Sequence, residues 1–359
     1  MAKDIDLEKI VKDIKPLDAE WIEKARERTA RLVMPPRALG RLHEISERLC
    51  GIRKTLKPVI NRKAVLVMAG DHGVATEGVS AFPQEVTGEM VKTFLRGGAG
   101  INAICRHVDA KVWVVDMGII PNLKPEPGDG GNRFLDRKVA QGTANLAKGP
   151  AMTRPAAQES IINGFQLAAE LFQNGIEILG TGDMGIGNTT PSAAVGTVIT
   201  GTNIDEMVGR GTGVDDQGLA RKRDAVRSGI QINQPDPKDG LDVLSKIGGF
   251  EIGGIAGCVL AGAFHSRPVV IDGFISTAGA LVAHALCPQV ADYLFAGHCS
   301  EELGHRAMLK YLGLEPILDL GMRLGEGTGG ALAMGIMEGA LRVFNEVLTF
   351  EEAGVTDKE

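Results

Sequence analysis

The segment AVLVMAGDHG, residues 64–73, decides the fold. Its first six residues are apolar without interruption, and the run stops at Gly70-Asp71. A run of this length is too short for a typical helix. It reads as a strand buried on both faces, as parallel sheets require. The same texture returns at 112–116, 176–180, 268–272, 293–297 and 316–319, which makes six expected strands. Stretches of helical periodicity separate them, at 85–107, 155–174, 218–231, 253–265, 277–286 and 300–312. Strand–helix alternation with continuous apolar strands predicts an α/β fold, a parallel sheet with helices on both faces and right-handed crossovers.

Upstream of residue 61 the chain is different. Ile10, Val11 and Ile14, then Trp21, Ile22, Ala25 and Leu32, then Leu42, Ile45, Leu49 and Ile52 recur at helical spacing. Residues 1–60 therefore read as a small helical domain, and 61–329 as the α/β domain. A last helix over 330–350 is placed to pack back on the first. Residues 121–150 and 200–217, rich in Gly and polar residues, read as irregular excursions.

Composition narrows the function. The 359 residues carry 39 Lys+Arg and 45 Asp+Glu, a net charge of −6 without a basic tract, so nucleic acid is not the expected partner. No apolar stretch is long enough to span a membrane, and the charged N-terminus does not read as a signal peptide. A cytoplasmic location is the expectation. The five cysteines lack a CxxC pair, which argues against a disulfide framework or structural zinc. Glycine is abundant, at 48 residues, while aromatics make up only 4%. Many tight turns and close backbone approaches follow.

In an open parallel sheet ligands sit beyond the carboxyl ends of the strands. There the chain places GTGDMGIGNTT (180–190), followed by Pro191 and a helix start. A Gly-rich turn before a helix N-terminus can cradle an anion. Gly182 to Thr189 even has P-loop spacing, but Asn188 stands where the P-loop lysine belongs. That argues against a nucleotide kinase or NTPase and for a monophosphate or sugar phosphate; a glycine-rich packing turn is the other reading. Gly325, Gly327 and Gly330 fit a dinucleotide fingerprint, but no later strand brings the acidic residue which that motif needs. The informative residue is Glu326, a carboxylate between glycines, either presented to a ligand or simply solvated. Asp71-His72 at a strand end reads as structural hydrogen bonding rather than as a metal or acid–base pair, and no metal-ligand cluster is visible in the sequence. The 209–216 turn, followed by Arg221, Lys222 and Arg223, is either a mobile flap over an anionic substrate or a solvated helix face.

Six ordered stretches together resemble a known family. MAGDHGVATEGVSAFPQEVT (68–87), GTGDMGIGNTTPSAA (180–194), GRGTGVDD (209–216), DGFISTAGAL (272–281), AGHCSEELGH (296–305) and LDLGMRLGEGTGGALA (318–333) are similar to the nicotinate-nucleotide–dimethylbenzimidazole phosphoribosyltransferases of cobalamin lower-ligand biosynthesis. The resemblance covers nearly the whole chain. It implies a Rossmann-like large domain, a small helical domain built from both chain ends, a homodimer and no cofactor. The implied substrates are nicotinate mononucleotide and 5,6-dimethylbenzimidazole. It further implies Glu326 as catalytic base. The turn carrying Gly185, Gly187, Asn188, Thr189 and Thr190 would hold the 5′-phosphate, with Lys222 and Arg323 as further anion contacts. Ser80, Phe82, Gln84 and Leu324 would line the base pocket. Asp183 stands where the family more often has Glu and is a candidate second carboxylate. A non-catalytic nucleotide-binding homologue is the alternative.

Overall fold

The computed structural model describes residues 6–123 and 133–356. Seven parallel strands form one sheet: β1 (Lys63–Gly70), β2 (Ala110–Gly118), β3 (Arg133–Asp136), β4 (Ile178–Met184), β5 (Val269–Ile271), β6 (Leu294–His298) and β7 (Pro316–Leu318). Their order is β3-β2-β1-β4-β5-β6-β7, so the strand order reverses between β1 and β4. That is the doubly wound arrangement, with its crevice above the switch point.

Fifteen α-helices occur among the described residues. They are α1 (Leu7–Asp13), α2 (Ala19–Ala30), α3 (Arg41–Arg53), α4 (Val86–Leu95), α5 (Gly100–His107), α6 (Arg154–Gln173), α7 (Thr189–Thr200), α8 (Ile204–Met207), α9 (Asp216–Asn233), α10 (Gly240–Ile247), α11 (Phe250–Phe264), α12 (Phe274–Leu286), α13 (His305–Tyr311), α14 (Thr328–Glu346) and α15 (Phe350–Ala353). Leu7, Ile45 and Leu49 from the first helices share one apolar core with the strands and with α14. The two chain ends are also tied directly: Arg28 donates to the carbonyl of Phe344, and the Val33 and Phe350 amides bond to Leu348 and Arg31.

Four expectations need correction. The excursion at 121–150 contains β3, a short edge strand with no apolar run to announce it; residues 124–132 lie outside the described residues. The excursion at 200–217 carries α8. The strand expected to end at Gly180 continues to Met184, so the first half of the glycine-rich stretch is buried sheet rather than turn. Finally, the helix expected over 85–107 breaks at Gly97-Gly98, where Gly97 adopts φ +76°, and restarts as α5.

Helices α6 and α11 pack backbone to backbone against each other. A Cβ on Gly164 would overlap the Gly254 carbonyl, and one on Gly257 would overlap that of Ile161. Neither clash is with a side chain that could rotate away. Gly164→Ala should therefore lower stability by about 1–3 kcal/mol, as overpacking does, with turnover per folded molecule unchanged. Denaturant unfolding with a parallel activity assay checks this; an unshifted midpoint would mean that the helices separate freely.

Candidate functional site

A cavity of about 390 Å³ opens at the carboxyl ends of β4 to β7. The ends of β4 and β6 supply Asp183 and His298, the turn after β5 supplies Gly273, and the segment after β7 supplies Arg323, Leu324 and Glu326. Phe82, Val86 and Met90 come from the chain after β1, and Asn188, Thr189, Gly211 and Thr212 from the turns around α7 and before α9. Phe82 and Leu324 are 54% and 60% exposed, so the mouth has apolar lips that a flat ligand would cover.

Glu326 is 6% exposed and adopts φ +63°, between Gly325 at +80° and Gly327 at +96°. A left-handed glutamate costs about 1–3 kcal/mol and persists only where its surroundings enforce it. Its neighbourhood is enforced: Gly182 of β4 lies directly under the Glu326 carbonyl. The side chain is not free, as the flanking glycines alone suggested. Its Oε2 accepts from the Ile101 amide at 3.0 Å, in the first turn of α5. Burial pushes its pKa above the ordinary range, the Ile101 N–H pulls it back, and the charge of Asp272 adds to the rise. The helical stretch expected over 85–107 runs through Gly97-Gly98 and so gives no sign of this helix N-terminus or of its link to Glu326.

Asp183, also 6% exposed, accepts from the Asn188 side chain at 2.9 Å through Oδ2, and its Oδ1 has no hydrogen-bond partner. Burial foremost, then Asp272, pushes its pKa up to about 8, against the pull of Asn188. Both Asp183 and Glu326 are thus pushed toward the neutral form by burial, and each keeps one donor that favours its anion, Asn188 for Asp183 and the Ile101 amide for Glu326.

The other expected residues divide. Gly185, Asn188 and Thr189 line the cavity, as do Phe82, Leu324 and Arg323. Thr190 is fully buried away from it. Gly187 has φ +87°, and a Cβ there would meet Ala75 and Val79 at ordinary distances, so its backbone conformation, not space for an anion, requires glycine. Lys222 is buried behind the cavity; its Nζ donates to the Gly209 carbonyl at 2.9 Å, and burial lowers its pKa to about 8 against the pull of Glu302. A Cβ on Gly211 would meet both Lys222 Nζ and Thr189 Oγ1 at 2.8 Å, so one glycine separates this lysine from the phosphate-type turn. Ser80 pairs with Thr212 at 3.2 Å, and the Thr212 hydroxyl also accepts from the Ala81 amide. Gln84 donates to the His72 carbonyl. These two residues stand beside the lining rather than in it. His72 is buried in an ion pair with Glu251, outside the cavity lining, and Asp71 accepts from the Ile120 amide.

Asp272 and His298 stand at strand ends, where the sequence places a ligand site, but neither carried an expected role; His298 lines the cavity and Asp272 lies buried outside its lining. A single Asp after a short strand gives no signal by itself. Among the described residues no group of three or more His, Cys, Asp or Glu is placed to hold a metal ion, and no helix is long and apolar enough to cross a membrane. All five cysteines are free and buried.

A family profile described as a phosphoribosyltransferase matches residues 14–355. The nicotinate-nucleotide–dimethylbenzimidazole phosphoribosyltransferase of Geobacter sulfurreducens is 53% identical over 342 residues, covering 95% of this chain and 96% of that protein. That of Geotalea uraniireducens is 50% identical, covering 98% and 99%. The crystal structure of the corresponding Thermus thermophilus phosphoribosyltransferase superposes with a TM-score of 0.89 at 45% identity, covering 95% of this chain and all of that one.

Proposed function

The chain belongs to the nicotinate-nucleotide–dimethylbenzimidazole phosphoribosyltransferase family, and on that premise we propose that it transfers the 5-phosphoribosyl group of nicotinate mononucleotide to 5,6-dimethylbenzimidazole, with Glu326 as general base. The products are α-ribazole 5′-phosphate and nicotinate. One observation carries the reading: a single cavity joins a buried, partly anchored carboxylate, apolar lips of Phe82 and Leu324, and a polar turn backed by Lys222.

The chemistry suits that set. The leaving pyridinium is already cationic and departs as a neutral ring nitrogen. One benzimidazole nitrogen attacks the ribose C1′ from the opposite face as the C1′–pyridinium bond breaks, which inverts β to α. Positive charge develops on the attacking ring, and its other N–H becomes acidic. The free oxygen of Glu326 takes that proton while its negative charge stabilises the developing cation. The opposite oxygen stays on the Ile101 amide, which fixes the carboxylate plane.

The test is incubation of purified protein with nicotinate mononucleotide and a panel of benzimidazoles and purines, with products identified by mass. No phosphoribosylated base under any pairing would leave a binding protein. Because the leaving group needs no Lewis acid, chelator-treated protein should keep full turnover in the same assay. Loss with EDTA, restored by a divalent ion, would overturn the mechanism.

A further inference from the structure

Helix α14 begins without a side-chain cap of its own. Its N-cap residue, Gly327, has no side chain, yet the amides of its first turn are buried under the cavity floor. Buried amides at a helix start need acceptors. They find them on another strand. Asp272, fully buried at the end of β5, accepts from the Gly327 amide through Oδ2 at 3.1 Å and from the Gly330 amide through Oδ1 at 2.9 Å. The Gly329 amide adds a further bond to this carboxylate. His298 Nε2 stands 3.6 Å from Oδ1, packed against Gly329 and Gly273.

The residue preceding Gly327 is Glu326. Locally its left-handed backbone is spanned by one turn, in which the Gly325 carbonyl accepts from the Thr328 amide at 3.2 Å and from the Thr328 hydroxyl at 2.9 Å. That turn closes the loop on itself but does not tie it to the sheet. We propose that Asp272 is the positioning residue for this reaction: a carboxylate from β5 that caps α14 from across the sheet and thereby locks the Gly325–Gly327 run, and the Glu326 carboxylate with it, in the reactive geometry. It touches the backbone of the base-carrying loop and not the ring or ribose. Two anchors from elsewhere in the fold then hold Glu326, the Ile101 amide on its side chain and Asp272 on the amide of the next residue, Gly327.

The electrostatics support the same assignment. The charged and titratable groups around Glu326 are Asp183 from β4, Asp272 from β5, His298 from β6 and Arg323 from its own loop, with Glu302 in the same cavity. Among these, Asp272 is the group that raises the Glu326 pKa. Asp272 itself is pushed upward by burial, while His298 and the helix amides favour its anion.

The inference rests on Glu326 being the base, and the experiment separates the two. Asp272→Asn keeps the shape but turns one acceptor into a donor facing an N–H. Its kcat should fall about 10- to 100-fold, as for a misplaced catalytic group, with KM for both substrates within about threefold. The acid limb of its kcat–pH profile should move to lower pH, because the charge that raises the Glu326 pKa is gone; a purely structural defect would leave the limb in place. In a Glu326→Gln background the Asp272 substitution should add less than about threefold, since its effect runs through that carboxylate. Gly330→Pro, whose ring methylene replaces the N–H facing Asp272 Oδ1 and so displaces that carboxylate in a helix first turn, serves as a second variant and should show the same fall in kcat with little change in KM.

Wild-type kcat with an unmoved acid limb in Asp272→Asn overturns the inference, as does a loss confined to KM. Failure of both variants to fold would make Asp272 a fold residue and would equally overturn it. If Glu326→Gln alone turns over normally, the base assignment falls; if Glu326→Gln is crippled and Asp272→Asn is not, only the positioning role falls.

Discussion

Glu326→Gln should turn over at least about 100-fold more slowly than the parent protein while binding both substrates nearly as well. General-base catalysis contributes about 10²–10⁴-fold, and the lost charge adds to that. The substitution is mild structurally. Glutamine keeps an oxygen for the Ile101 amide, keeps the size, and pays the same left-handed backbone cost as glutamate. The loss should therefore fall on kcat and leave KM nearly untouched. The pH profile gives an independent reading. Burial raises the Glu326 pKa, so in the parent protein turnover should be lost as pH falls through a value above the ordinary carboxylate range. The variant should lack that limb. Steady-state rates across the acid and neutral range decide the matter; near-parental kcat in the variant would remove Glu326 from the chemistry.

Gly182→Ala should be almost as damaging, although residue 182 carries no functional group. Gly182 lies within β4 and is paired to Val67 of β1. A Cβ there would overlap the Glu326 carbonyl and stand 2.7 Å from the Gly327 nitrogen. The strand sits inside a seven-stranded sheet and cannot retreat, so the base-carrying loop must rise by roughly an ångström. A shift of about 1 Å at a catalytic group can cost about 100-fold. Gly180→Ala, on the same strand and face, is the control. Its Cβ would meet Met334 Cε at 2.8 Å, the far end of a flexible side chain that can swing aside, and Val65 Cγ2 at 3.1 Å, a contact that a shift of a few tenths of an ångström relieves. Activity within about threefold is expected for Gly180→Ala, the small cost of a repacked side chain. Equal activity of the two variants would mean that the loop floats free of β4.

Part of this was legible in the sequence and part was not, and the division is physical. Buried parallel strands announce themselves as continuous apolar runs, so β1, β2, β4, β5, β6 and β7 can be read directly. The edge strand β3 is Arg-Phe-Leu-Asp, with no such run, and gives no signal. Local sequence also overstates the turn at 180–190, because glycines inside a strand look like loop until one sees what packs against them. Glu326 stands out through its flanking glycines, but its partners are 225 residues away at Ile101 and 55 away at Asp272–Gly327. No spacing rule reaches that far. Ser80 and Gln84, expected in the base pocket, stand beside the lining rather than in it: Ser80 bonds to Thr212 of the cavity wall and Gln84 to the His72 carbonyl.

The strand order has a consequence for how the molecule is made. Counting along the chain, β2 adds to β1, β3 to β2, then β4 to the other flank of β1, and β5, β6 and β7 each to the strand just before. A nascent chain leaving the ribosome N-terminus first therefore always finds a finished edge waiting for its next strand, and no strand has to insert between two others. The first helices are less fortunate. Helices α2 and α3 appear early, yet Phe344 of α14, which packs with Ala25 and Cys50, emerges long after them. Until then the patch at Ala25 and Cys50 that Phe344 covers stays open to other chains or to a chaperone. Glu326 lies just ahead of that same late helix. A ribosome stalled before it would release a product with the sheet laid down, the cavity partly walled, and no base with which to use it.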